Sequence, residues 1–225
     1  MRKHFFNERY FENIDTEEKA YWLGFISADG CISKPSEFSS RLCLSQSITD
    51  KKHLEKFKHD IGADDIEITT IVAKSGYKIG SQICRLILNS NALCDDLNKL
   101  GVKARKTYDL SLPDINDSLM HHYLRGVIDG DGYFFCKYVE KEKRYRYTFE
   151  ITEGCKNYLQ QIKEFLSSKN INVHVYQRGT NQHIFRLMSG CKDDVTSLAL
   201  FIYHDAHIYL PRKYQKAKYI TDIAV

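Results

Sequence analysis

Proline is scarce in this sequence, and long apolar runs are absent. Three prolines among 225 residues give no rigid proline-rich linker between domains. No apolar stretch approaches the roughly 20 residues that a transmembrane helix requires. The N-terminus is basic and aromatic, and it lacks the apolar segment of a signal peptide. We therefore expect a protein with no membrane partner.

The seven cysteines include no CxxC pair, and their odd number leaves one over. A cysteine zinc site and a disulfide framework are both disfavoured, and we expect reduced, mostly buried thiols in a cytoplasmic protein. His204 and His207 have the spacing of a metal-ligand pair, but the sequence offers no partners that would converge on them. His121 and His122 fall in the opening turn of a predicted helix, and the pattern assigns them no role.

The charge balance is nearly even, with a formal net charge of +4. An apolar content of 43% and an ordinary charge density are typical of a folded globular protein rather than a disordered one. So small a net charge does not exclude nucleic acid as a partner, because a nucleic-acid-binding protein can gather its basic residues on one face.

The sequence contains a long repeat. The segment 20–32, AYWLGFISADGCI, is matched by 121–134, HHYLRGVIDGDGYF. Each copy is an apolar helical run that ends in a carboxylate and a glycine. Two copies in register, with similar segments following each, indicate two related halves.

Small residues recur four apart in both copies, Gly24 with Ala28 and Gly126 with Gly130. Residues at this spacing share one face of a helix. A stripe of small residues on each of two helices lets their backbones approach closely. The sequence therefore predicts that the two repeated helices pack against each other.

Asp29 and Asp131 are expected in the last turn of these helices, with Gly30 and Gly132 in the left-handed conformation directly after them. A carboxylate is unfavourable there, beside unpaired carbonyls and the negative end of the helix dipole. If the two helices pair in parallel, a hard divalent cation would relieve the repulsion. Oxygen ligands of this kind suit Mg²⁺.

On these residues the chain resembles the LAGLIDADG homing endonucleases in their single-chain form, with motifs at 21–30 and 123–132. The resemblance implies that Asp29 and Asp131 are catalytic acids that bind metal. The sixth motif position, which is often acidic in the family, is Ser27 in the first copy and Asp129 in the second. That departure lies outside the catalytic position.

The resemblance also implies the cofactor. Mg²⁺ would be held by the two aspartates together with the backbone carbonyls of Ala28 and Gly130. Mn²⁺ is expected to substitute for it, and Ca²⁺ is expected to support DNA binding without cleavage.

The order of predicted elements is the same in both halves. The resemblance implies an α+β fold of two pseudo-symmetric αββαββα halves, each with a curved antiparallel sheet, joined through the paired motif helices. We place the halves at 1–115 and 116–225, with 103–115 as a connector. Capping residues are predicted at Asp15 to Glu18 for the first motif helix and at Asn116 to Ser118 for the second.

The clearest strand pattern lies at 144–152, RYRYTFEIT, where apolar residues alternate with polar ones. The apolar face would pack on helices, and the polar face would meet solvent or a ligand. One interpretation is an ordinary solvated sheet; the other is a β-ribbon in the major groove, where arginine reads guanine and glutamine reads adenine. The predicted DNA-facing residues are Arg41, Lys74, Lys78, Arg85, Lys137, Arg144, Arg146, Thr148, Gln177, Arg178, Gln182 and Arg186.

Two further pairs repeat in step with the motif. Lys106 and Lys213 follow the last helix of each half, and Gln46 and Glu153 end the second strand of each half. The resemblance implies catalytic roles, a lysine near the cleavage centre and a polar residue that holds metal-bound water. A cation there can stabilise a pentavalent phosphate or lower the pKa of a water. The alternatives remain a lysine that solvates a helix end and an ordinary strand-end residue.

The resulting prediction is a monomeric, Mg²⁺-dependent homing endonuclease. It would cut double-stranded DNA at a long, non-palindromic site and leave 3′ overhangs. The alternative is a non-cleaving intron maturase or a DNA- or RNA-binding regulator on the same fold, with intron RNA as a partner. An intein is not expected, because no terminal His-Asn pair is present. We expect a cytoplasmic, nucleoid-associated protein or an organellar one.

Overall fold

The computed structural model describes residues 5–73, 79–103, 110–179 and 183–224, which contain two sheets and seven α-helices. The elements of the first half, in chain order, are α1 (Glu17–Asp29), β1 (Gly30–Ser36), β2 (Ser39–Ser47), α2 (Lys51–Asp60), β3 (Thr69–Val72), β4 (Gln82–Asn89) and α3 (Asn91–Lys99). Those of the second half are α4 (Asp117–Asp131), β5 (Gly132–Val139), β6 (Arg144–Glu153), α5 (Lys156–Ser168), β7 (His174–Gln177), β8 (Phe185–Ser189), α6 (Lys192–Tyr203) and α7 (Pro211–Ala224).

The two halves have the same topology. Each contains a four-stranded antiparallel sheet, ordered β1-β2-β4-β3 in the first half and β5-β6-β8-β7 in the second. The predicted α+β class and the repeated αββαββα order are therefore confirmed.

Helices α1 and α4 run parallel and join the halves. A Cβ added to Gly24 would collide with the Tyr123 carbonyl and lie 3.0 Å from the Val127 nitrogen. Gly126 lies in the same way against the Tyr21 carbonyl. Because backbone touches backbone at both points, neither position has room for a side chain. The predicted close approach of the two helices is therefore present.

The glycines that follow these helices differ from the prediction. Gly30 and Gly132 are extended, with φ of −76° and −80°, and are not left-handed. Each is the first residue of a strand, so the chain passes from helix to sheet without a loop. Glycine is required for space, because a Cβ would lie 2.6 Å from the Ile26 carbonyl oxygen in one half and 2.7 Å from the Ile128 carbonyl oxygen in the other.

Both motif helices start at a cap within the segment predicted for it. Asn116 caps α4 by accepting a hydrogen bond from the Ser118 nitrogen at 2.9 Å. Helix α1 is capped by Thr16, which accepts from the Lys19 nitrogen at 3.3 Å. Thr16 lies within the capping segment predicted at 15–18, but Asp15 is not the cap and instead forms an ion pair with the Lys19 amine at 2.7 Å.

The C-terminal segment forms α7, an element that the sequence pattern left unassigned. Its Ala217 and Ile220 are buried, and the helix packs on α6 and β5. None of the helices in the described residues is long and apolar enough to span a bilayer.

The seven cysteines are all unpaired. Cys84, Cys94 and Cys155 are buried, as predicted, but Cys31 and Cys191 are exposed. The prediction of buried thiols therefore holds for only part of the set, because the polar outer face of the first sheet includes Cys31 and a loop includes Cys191.

Candidate active site and nucleic-acid interface

The ends of α1 and α4 bring the two predicted catalytic acids together. Asp29 is half-buried and Asp131 is exposed, and each is the last residue of its helix. An atom at the Cβ position of Gly130 would lie 3.2 Å from the Asp29 carboxylate, so the tip of one helix contacts the tip of the other. Lys213 interacts electrostatically with both aspartates. Ala28, the other predicted carbonyl ligand, packs directly against Gly130.

Gln46 on β2 and Glu153 on β6 occupy equivalent positions. Each lies two residues beyond the strand residue that pairs with the glycine after its motif helix. Gln46 is buried and donates a hydrogen bond from Nε2 to Asp29 Oδ2 at 2.7 Å. The Glu153 carboxylate accepts from the Gly154 nitrogen at 2.7 Å. The two halves thus place an amide and a carboxylate at matching points.

Lys213 lies in the first turn of α7, and its amine reaches the end of α4. Its Nζ donates to the carbonyls of Gly132 and Ile128, the latter at 3.4 Å. Burial lowers its pKa and Arg212 lowers it further, whereas the three aspartates at the helix ends raise it. These contacts agree with both interpretations of Lys213: it solvates the end of α4, and it lies close enough to the paired aspartates to interact with them electrostatically. Its predicted counterpart, Lys106, is outside the described residues.

A buried carboxylate, Asp129, lies two residues before Asp131 in α4. Asp129 accepts hydrogen bonds from the Tyr21 hydroxyl at 2.8 Å, the Tyr203 hydroxyl at 2.6 Å and the Leu210 nitrogen at 2.6 Å. Burial raises its pKa to about 6, although these bonds and Lys213 act in the opposite direction. Asp129 therefore ties α4 to α1, to α6 and to the segment before α7. The sequence shows an acidic residue at the sixth motif position, but it does not show which groups Asp129 contacts.

The hydrogen bonds around Tyr21 have a defined direction. Its one hydroxyl hydrogen goes to Asp129, so His53 Nε2, at 2.7 Å, must donate to the Tyr21 oxygen. Burial lowers the pKa of His53 to about 3, in agreement with a neutral ring. In the other half Tyr123 takes the place of Tyr21, and its hydroxyl lies 2.8 Å from that of Tyr158.

Arg125 is a second charge buried in α4. It is 0% exposed and donates to the carbonyls of Ile208 at 2.9 Å and Ile202 at 3.0 Å. It forms an ion pair with Glu17 in the first turn of α1, and Glu17 also accepts from the His207 nitrogen at 2.8 Å. A charge pair thus crosses the interface between the halves.

Strand β6 shows the predicted alternation from Tyr147 onward, where Phe149 and Ile151 are buried and Thr148 is half-buried on the outer face. At the start of the strand Arg144, Tyr145 and Arg146 are all exposed, so the predicted apolar face does not extend to Tyr145. The outer face also includes Tyr133, Phe135 and Lys137 of β5, which pair with β6. This surface is therefore both basic and aromatic.

Three basic residues of this sheet have acidic partners. Glu142 forms an ion pair with Arg144 at 2.8 Å and a second with Arg146. On β8, Arg186 lies 3.7 Å from Glu150. A polyanion that binds this face would compete with these carboxylates for the guanidinium groups.

The outer face of the first sheet has fewer charges. Arg41 donates to Ser33 and Arg85 donates to Ser45, both at 3.0 Å. Each arginine is half-buried and lies across its own sheet.

Gln177 departs from the predicted surface. It pairs with Phe185, and strand alternation places it on the face of half-buried Val175, opposite Tyr176 and Arg186. Arg178 directly follows β7 and is exposed. The remaining predicted contacts lie outside the described residues: Lys74, Lys78 and Gln182.

No protein-family model matches the sequence, and no curated protein sequence matches it. Solved structures do match its fold. The LAGLIDADG homing endonuclease I-GzeII in complex with its DNA target has a TM-score of 0.61 and 13% identity, over 91% of this chain and 89% of that one. I-LtrWI bound to target DNA gives 0.60 and 15%, over 96% and 91%.

I-SmaMI bound to uncleaved DNA in the presence of calcium ions gives a TM-score of 0.60 and 16% identity, over 94% of this chain and 91% of that one. At these identities the likeness concerns the fold. This chain therefore has the fold of the single-chain LAGLIDADG homing endonucleases along nearly its whole length.

Proposed function

We propose that this protein is a double-strand DNA endonuclease of the homing type, acting as a monomer with one acid from each half. The observation that carries the proposal is the meeting of the α1 and α4 ends, where Asp29 and Asp131 share the field of Lys213. The similarity of the fold to DNA-bound endonucleases supports it.

The donor set fits a hard divalent cation. Two carboxylates and the carbonyls of two helix ends supply oxygen ligands, and their like charges repel when nothing lies between them. Asp29 and Asp131, with the carbonyls of Ala28 and Gly130, would hold Mg²⁺. When bound, the metal would polarise the phosphate and help to activate a water.

The neighbouring side chains have defined tasks in this proposal. Gln46 orients the Asp29 carboxylate through its hydrogen bond to Oδ2. Glu153 can accept a proton from water at the matching point of the second half. Lys213 supplies positive charge close to the phosphate, and its lowered pKa makes it a better proton donor than an exposed lysine.

The two sheets would hold the DNA on both sides of this centre. Arg144 and Arg146 are exposed on the sheet of the second half, and Arg41 and Arg85 are half-buried on the sheet of the first. Because the outer faces differ in sequence, we propose a long and non-palindromic target, cut to leave 3′ overhangs. Basic side chains on these faces would contact phosphates as well as bases.

Cleavage of a plasmid library of candidate targets tests the proposal. Full-length protein is incubated with the library and Mg²⁺, and the cut ends are sequenced. We expect cleavage that EDTA abolishes and that Asp29→Asn and Asp131→Asn each reduce by at least about 100-fold, since metal-ligand acids supply several kcal/mol. Asp193→Asn, an exposed aspartate at the start of α6, is the matched control and should cut normally.

Binding measured in Ca²⁺ separates the alternatives. Both asparagine variants should still bind the selected target. Tight, specific DNA binding by the wild-type protein with no cutting in Mg²⁺ or Mn²⁺ would refute the nuclease and favour a non-cleaving regulator. Preference for intron RNA over duplex DNA would instead favour a maturase.

A further inference from the structure

A cluster of histidines and one aspartate lies at the opposite end of α4 from the paired acids. Ligand atoms of His121, His122 and Asp205 all lie within 4.8 Å of one another. His121 Nε2 is 3.1 Å from both oxygens of the Asp205 carboxylate. His121 precedes Asp131 by ten residues of α4. That distance is about 15 Å at the rise of a helix, so the cluster is separate from the candidate active site.

His122 contributes a buried nitrogen that lacks a partner. The residue is 7% exposed, and its ring centroid is 3.8 Å from that of His121. Its Nδ1 makes no hydrogen bond within the described part of the chain. Burial and nearby Arg125 lower its pKa to about 4, so the ring is neutral at pH 7. A buried polar atom in this state is rare and points to a missing partner.

His204 lies beside this cluster, with its ring centroid 5.5 Å from that of His121. Its Nδ1 is 3.3 Å from the Phe201 carbonyl oxygen, which can only accept a hydrogen bond, so Nε2 is the nitrogen left to bind a ligand. That Nε2 is 3.6 Å from Asp205 Oδ2. A metal cation placed between these two atoms would be bound by both. His207, the partner suggested by spacing, is bound to Glu17 instead.

We propose that His121, His122, His204 and Asp205 form a site for one divalent transition-metal cation, with Zn²⁺ the best match. Imidazole ligands with one carboxylate suit zinc, whereas Mg²⁺ takes oxygen ligands. Tetrahedral zinc places its ligand atoms roughly 3.3 Å apart. His121 and Asp205 already have this spacing, and rotation of the exposed His204 and Asp205 side chains closes the rest.

The bound ion would act as a structural clamp. It would join the start of α4 to the end of α6, directly beside Tyr203. Tyr203 donates to Asp129 in the interface between the halves. Metal binding at this end of α4 therefore stabilises the helix pair without touching the acids at its other end.

Calorimetric titration of the tag-free, chelator-treated full chain with ZnCl₂ tests the site. With excess Mg²⁺ present to occupy the candidate active site, we expect one equivalent of zinc to bind and to raise the melting temperature. His121→Ala and Asp205→Asn should each weaken zinc binding tenfold or more. His59→Ala is the matched control, because His59 is exposed and lies 3.3 Å from Asp64 in a similar pair. CoCl₂ should give the visible absorption bands of tetrahedral cobalt.

A second set of variants separates this site from the candidate active site. Asp29→Asn should keep full zinc affinity, because it alters the other end of the helix pair. The His204 side chain is exposed, so His204→Ala should keep the fold, which circular dichroism without metal will verify. The zinc affinity of this variant then tests His204 as a ligand. Equal zinc affinity in the wild type, His121→Ala and Asp205→Asn would overturn the proposal. So would loss of zinc binding in Asp29→Asn alone, or no binding by the wild type. None of these readouts depends on DNA cleavage.

Discussion

The two halves share one topology but surround their motif helices with different chemistry. At the sixth motif position, Ser27 donates to the Leu23 carbonyl of its own helix at 2.9 Å and forms a side-chain hydrogen bond with Tyr123. The equivalent Asp129 gathers three donors from other elements. Where α1 has buried Leu23, α4 has buried Arg125.

The difference shows which parts of the repeat are constrained by the pairing itself. Symmetry is kept where backbones touch, at Gly24 and Gly126, and where the acids end the helices. It is lost where a side chain can reach across the interface. Arg125 binds Glu17 and Asp129 binds Tyr21, so the second half supplies the charges that fix the first half in place. Directional contacts of this kind specify one arrangement of two similar halves.

The largest loss of stability is expected from disrupting the backbone contact between α1 and α4. Gly126→Ala or Gly24→Ala places a Cβ against a backbone carbonyl that cannot move without separating the helices. We expect each to lower the free energy of unfolding by about 3 kcal/mol or more. Gly190→Ala is the control, since its Cβ would meet its nearest neighbour at an ordinary 3.7 Å. Chemical denaturation measures all three, and equal stability would contradict the backbone contact.

The next largest effect is the dependence of protein stability on pH that Asp129 causes. Its pKa is raised from 3.8 to about 6, first because of burial. The folded protein therefore binds more protons than the unfolded chain between about pH 4 and 6, and stability falls as pH rises through that window. The contribution is about 2–3 kcal/mol.

Comparison of variants isolates this contribution. Asp129→Asn cannot titrate, so the pH dependence of its unfolding free energy should lack the fall between pH 4 and 6. Ser27→Ala, at the same position of the other half, should keep the slope of the wild type. Identical slopes in the wild type and Asp129→Asn would show that this carboxyl titrates as in the unfolded chain.

The smallest effect is expected at the strand ends. Gln46→Glu replaces the donor to Asp29 with a second carboxylate, which should cost about 1–2 kcal/mol without metal. Added Mg²⁺ should restore the stability, because the cation would separate the two carboxylates. Glu153→Gln removes a charge instead and should change stability by less than about 0.5 kcal/mol. Thermal melts with and without Mg²⁺ compare the two variants. An equal change in melting temperature for Gln46→Glu and Glu153→Gln would contradict the proposed difference between the two strand ends.

Much of the architecture was accessible from the repeat. Two small-residue stripes in register predicted the paired helices, and the alternation along 144–152 predicted the faces of β6 from Tyr147 onward. Both are properties of spacing, which sequence displays directly. Helix α7 was not predicted, because its apolar residues are few and its burial depends on α6 and β5.

The side-chain partners were accessible only in part. Gln46 and Glu153 were placed at matching strand ends, but the hydrogen bond from Gln46 to Asp29 depends on how β2 crosses the end of α1. The extended conformation of Gly30 and Gly132 was missed for a similar reason. A glycine after a helix predicts a left-handed turn, whereas here the strand follows at once and the glycine serves close packing.

The sequence by itself determined that the chain has two related halves, that two glycine-bearing helices join them, and that each helix ends in an acid. These features are periodic and local. Tertiary structure alone decided which distant groups meet: Asp129 with Tyr203, Arg125 with Glu17, and His121 with Asp205. Residues that lie 74 to 108 positions apart are brought together by helix packing, and no local pattern carries that information.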